Sequence, residues 1–118
     1  MTTANGAAPV YPLSAQETLV SNLDLLRETS GPVADAFRGL RRAADDHGPL
    51  EAKQRELCLL TGFAVSRNEP GFRVHCNRAK DAGATVEEIE QVVILMLGTS
   101  LGLVPVVEAL NWVHDELR

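Results

Sequence analysis

Three stretches of this 118-residue chain carry polar side chains in otherwise apolar helical settings, and these are the groups that could do chemistry. Glu56 follows Arg55 just ahead of the apolar run Leu57 to Val65. His75 and Cys76 stand side by side in the middle of a helical stretch, and Glu108 lies among Val106, Val107, Ala109 and Leu110. A carboxylate and an imidazole suit proton transfer near neutral pH, because free imidazole titrates there and a carboxylate can hold its tautomer. Each group also has a structural reading. Glu56 near a helix start would favour the helix dipole, His75 would be a structural or exposed histidine, and Glu108 would face solvent. Periodicity alone leaves these alternatives open.

Arg78 is one helical turn beyond His75 and on the same side, so it either holds a substrate carboxylate or is a surface charge. Cys76 is turned about 100° from His75 around a helix, so the two need not share a pocket. Cys76 and Cys58 both read as small buried hydrophobes. They match no zinc spacing, and no metal ligand set is expected. Trp112, the only tryptophan, reads as a packing residue.

Helices must position these groups, because helix signals recur along the chain and strand signals do not. Ser14 with Glu17 makes a capping box, and Leu19, Leu23 and Leu26 follow on one face. Ser30-Gly31-Pro32 stops that helix and starts a second, with Val33, Phe37 and Leu40 inward and Arg38, Arg41 and Arg42 outward. The second helix ends by His47-Gly48-Pro49. A third begins near Glu51, buries Leu57, Leu60, Phe63 and Ala64, and is broken by Asn68-Glu69-Pro70-Gly71. The fourth spans about Phe72 to Ala82, with Gly83 as its stop. Thr85 and Glu88 form the capping box of a fifth helix, whose Val86, Ile89, Val92, Val93 and Met96 face the core. Ile94, Leu95 and Leu97 cover its other sides, and a helix apolar all round must be surrounded. So small a domain cannot do that alone, which implies a subunit interface. The sixth helix starts near Pro105 and carries Val106, Ala109, Leu110 and Val113.

The totals fit one all-α domain over residues 13–118 behind a loose tail at 1–12. Hydrophobic residues make up 45% and charged residues 23%, an ordinary globular balance. A net charge of −5 with no basic stripe excludes a grip on phosphate backbones, so no nucleic acid partner is expected. The uncharged stretch Val92 to Val107 is interrupted by Gly98, Gly102 and Pro105, and no membrane span is expected. No basic-then-apolar leader opens the chain, so the expected compartment is the cytoplasm, where thiols stay reduced.

Three segments in order carry a resemblance. They are Lys53-Gln54-Arg55-Glu56-Leu57, the stretch Glu69 to Ala79 (EPGFRVHCNRA), and Ala82 to Ile89 (AGATVEEI). Together they resemble the carboxymuconolactone decarboxylase family, which includes the alkylhydroperoxidase-D-like proteins, and the likeness runs from Leu50 to Leu117. The family pattern is a K-x-R-E-L segment, a histidine nineteen residues beyond its glutamate, and a G-A/V-T-x-x-E-I segment; His75 stands at that interval from Glu56. The resemblance implies a six-helix bundle assembled as trimers or as hexamers built from dimers.

The departures from the pattern inform the chemistry. The peroxidase branch keeps a C-x-x-C at positions seven and four before the histidine, which are Asn68 and Gly71 here, so its disulfide cycle has no sulfur to use. Carboxymuconolactone decarboxylases resemble one another in a carboxylate at the position of Gly71 and a further histidine near that of Glu108. The resemblance therefore implies a relative, a cofactor-free acid–base enzyme of lyase type acting on a small lactone or keto acid. In that reading His75 donates the proton, Glu56 orients it or relays to it, and Arg78 and Glu108 contact substrate. Two alternatives are a non-catalytic oligomeric binding module of the same fold and an isomerase or cyclase in a biosynthetic pathway.

Overall fold

Each helix starts or stops on a local signal, and among the described residues six helices with no strand make up an all-α bundle. The computed structural model describes residues 15–118, with side-chain surroundings from Asn22 onward. The helices are α1 (Ala15–Thr29), α2 (Gly31–Asp46), α3 (Ala52–Val65), α4 (Glu69–Asp81), α5 (Val86–Ile94) and α6 (Leu103–Leu117). An isolated bridge between Leu97 and Leu101 is the one extended pairing among the described residues. None of these helices is long and apolar enough to cross a membrane.

The caps explain the boundaries. Ser30 is extended and its hydroxyl accepts from the Val33 amide at 3.3 Å, with Pro32 in the first turn of α2. Glu51 and Gln54 cap α3 reciprocally, and Thr85 and Glu88 do the same for α5 at 3.1 and 2.9 Å. Gly83, at φ 103°, takes the left-handed turn that ends α4 and lets the chain reach α5. The Ser14–Glu17 box expected ahead of α1 lies outside the described residues.

α4 is the central helix and packs against α3, α6 and α1. Phe72, Cys76 and Ala79 on α4 meet Leu60 and Ala64 of α3, Ile89 and Val93 of α5, and Val106, Ala109 and Val113 of α6 in one core. Fully burying side chains such as Leu60, Phe72 or Ile89 is worth roughly 1.5–3 kcal/mol each. Trp112 is a packing residue, edge-on to Phe72 with centroids 5.4 Å apart.

Three expectations are corrected. Asn68-Glu69-Pro70-Gly71 does not separate α3 from a helix starting at Phe72; it is the first turn of α4. The Asn68 side chain accepts from the Gly71 amide at 3.1 Å, and Pro70 sits in the first turn, where a backbone amide would have no helical partner. The break is Arg67, held at φ 57°. Next, α5 stops at Ile94, and Leu95 to Leu97 form a turn in which Met96 alone of the three is buried. Finally, α2 does not turn Val33, Phe37 and Leu40 inward. All three are exposed and Ala34 is its buried residue, because α2 rests on α1 and makes no broad contact with the rest of the bundle.

Candidate active site

The three motif segments converge through their polar side chains. Glu56 lies beyond the first turn of α3, and its Oε2 is 2.5 Å from Nδ1 of His75 on α4. This contact joins the first segment to the second. Lys53, one turn before Glu56, is 2.8 Å from Glu88 at the start of α5 and joins the first segment to the third. Lys53, together with the Thr85 amide, holds the Glu88 carboxyl below the usual carboxylate range. Arg55 donates to the Leu50 carbonyl at 2.8 Å and ties the α2–α3 loop to the helix.

The side chains of His75 and Glu56 are 11% and 18% exposed, so water screens this contact far less than it screens a surface pair. With Nδ1 engaged by the carboxylate, Nε2 is the ring nitrogen left for other chemistry, and no described residue partners it. His75 also lines a pocket of about 700 Å³ between the α1–α2 hairpin and the α3–α4 pair. Phe63 lies against the imidazole with ring centroids 4.8 Å apart. Arg78 is on the pocket wall, one turn from His75.

Gly71 makes room for that aromatic contact. A Cβ at this position would come within 2.6 Å of Cε1 and 2.7 Å of Cδ1 of Phe63. Where the resemblance puts a carboxylate in decarboxylases, this chain has a phenyl ring seated over a bare backbone. Gly71→Ala is therefore expected to push Phe63 off His75 and to destabilise the fold by about 1–3 kcal/mol. Gly62→Ala is the control. Nothing lies within 4 Å of its Cβ position, and the change should add about 0.5–1 kcal/mol of helix stability. Urea melts of the two variants check the contrast; equal stabilities would contradict it.

The other sequence candidates separate. Glu108 does not line the pocket; on α6, it is paired at 3.3 Å with Arg67 of the α3–α4 turn. Cys76 is fully buried, and that burial, with Glu116 nearby, pushes its thiol up to about 12. Cys58 is exposed rather than buried. Its offset of two positions from Leu60 turns it about 200° away from the buried face of α3. The Cys58→Ala, Cys76→Ala double variant is expected to keep any activity within a few-fold. Its stability should fall by roughly 0.5–3 kcal/mol through the lost Cys76 packing. Thiol-dependent consumption of hydroperoxide by the native protein, abolished in this variant, would contradict that expectation.

Sequence reasoning missed the arginines of α2. Arg38, Arg41 and Arg42 line the pocket beside Phe37, and Arg41 is held at 2.9 Å by Asp45. The signal available was their spacing on one helix side; what that side meets depends on how the hairpin docks. Among the described residues no three His, Cys, Asp or Glu side chains gather as a metal would require.

Searches of curated proteins and of solved structures gave no match. Comparison with protein families matches residues 31–115 to the Carboxymuconolactone decarboxylase family. That span contains the Lys53–Glu88 and Glu56–His75 contacts that join the three motif segments. With the match extending over most of the chain, from α2 into α6, this protein belongs to the carboxymuconolactone decarboxylase family.

Proposed function

We propose that the protein is an acid–base enzyme that decarboxylates or rearranges a small lactone or keto acid without a cofactor. The observation that carries this reading is His75, engaged by Glu56 at Nδ1 and lining the pocket. Loss of carbon dioxide from a β-keto acid or its vinylogue leaves an enolate, so the substrate's own carbonyl takes the electron pair. The protein has then to bind the acid, exclude water and return a proton to carbon. Arg78 supplies a cation one turn from the donor, and a guanidinium can grip a carboxylate with two parallel hydrogen bonds. Glu56 receives Nδ1–H and fixes the ring, which leaves Nε2 as the nitrogen that gives up a proton and regains it. Glu108, paired with Arg67 outside the pocket, has no part in this scheme.

The working form is proposed to be a homo-oligomer, supported by the apolar side chains left exposed around the α5–α6 connection. Carbon dioxide release or isomerisation, followed across a panel of β-keto acids and carboxylated lactones, tests the reaction. Silence across the panel would favour a binding module that has kept the fold without the chemistry.

A further inference from the structure

The pocket is larger and more divided in character than a small lactone needs. Its volume of about 700 Å³ lies in the middle of the range for sites that enclose drug-sized ligands, roughly 300–1,000 Å³. Five apolar side chains line it: Leu23 and Leu26 of α1, Phe37 of α2, and Leu59 and Phe63 of α3. Four of the eleven Lys and Arg residues of this acidic chain line it as well, against one acidic residue, Asp45. Asp45 neutralises Arg41. Arg38, Arg42 and Arg78 have no carboxylate partner among the described residues, and all three are exposed, whereas His75 is nearly buried. The lining thus combines apolar walls, the nearly buried His75 imidazole and an accessible set of unpaired guanidinium groups.

We infer that the substrate is an amphipathic carboxylic acid. Its extended apolar body would lie against Leu23, Leu26, Leu59 and Phe63, and its carboxylate would be held by Arg38, Arg42 and Arg78. The inference rests on reading this pocket as the substrate site, and it makes α2 a specificity element. Burial of apolar area supplies most of the affinity, and the guanidinium groups select an anion over a neutral molecule of equal length.

Calorimetric titration of the full chain with decanoate, glutarate and decan-1-ol tests it. Decanoate is expected to bind with one site per protomer and at least tenfold more tightly than either of the other two. The Arg38→Gln, Arg42→Gln double variant, with unchanged circular dichroism, should weaken decanoate at least tenfold and leave decan-1-ol unaffected. Glutarate binding as tightly as decanoate would overturn the apolar half of the inference. Decan-1-ol binding as tightly, or indifference to the double arginine change, would overturn the anionic half. No decanoate binding at millimolar concentration would overturn both. These readouts need no turnover, so decanoate binding without activity on any acid would sink the proposed reaction alone. Turnover of a small keto acid without decanoate binding would sink this inference alone.

Discussion

Replacing His75 by asparagine is expected to slow turnover by about 10²–10⁴-fold while helicity and assembly persist. Asparagine keeps polarity and much of the volume but lacks a nitrogen that can take up and release a proton near neutral pH. The pocket, the arginines and the core side chains of α4 are left in place, so binding of an acid should suffer less than the chemical step. Such a variant lowers kcat far more than it raises KM. Glu56→Gln is expected to cost less, because the amide oxygen can still accept from Nδ1–H and only the carboxylate's charge is lost. Steady-state rates on whichever acid of the panel is turned over check both. Equal turnover by wild type and His75→Asn would remove the histidine from the chemistry.

The second large effect concerns assembly. Leu103 and Val104 at the start of α6 are 65% and 70% exposed in a single protomer. Ile94, Leu95, Leu97 and Val107 around the same connection are also exposed. Covering such side chains is worth up to roughly 1.5–3 kcal/mol each. Even partial covering of six is comparable to the 5–15 kcal/mol by which a domain is ordinarily stable. Light scattering at micromolar concentration is expected to show a trimer or larger. Leu103→Glu with Val104→Glu should shift it to monomers, because two carboxylates buried without partners cost more than the contact returns. A native-like monomer in the wild type would contradict the expectation.

How much of this was legible depends on the range of the interaction. The Thr85–Glu88 box, the Ser30 cap and the Gly83 stop involve neighbours in sequence, and all three read directly from residue type and spacing. The start of α4 did not, because Pro and Gly mark breaks and first turns alike. Arg67, the residue that does break the chain, is of a type that rarely takes positive φ. Periodicity correctly put Val33, Phe37 and Leu40 on one side of α2, yet it carries no information on what that side meets. Docking of α2 on α1 left those residues exposed and brought Arg38, Arg41 and Arg42 to the pocket. What Glu108 meets was not legible for the same reason, since its partner Arg67 is 41 residues away in sequence. The Glu56–His75 contact spans 19 residues and was legible only because the motif segments flank both ends. The Phe63–Gly71 fit was not legible at all, as it depends on the distance between two helices.

Nitrogen NMR of the His75 ring, in protein labelled at histidine, tests the central claim most directly. A proton on Nδ1 at neutral pH, its hydrogen bond weakened in Glu56→Gln, with an Nε2 resonance that shifts when an acid enters the pocket, is the result expected. A proton on Nε2 instead, with no response to Glu56→Gln or to any bound acid, would contradict the account.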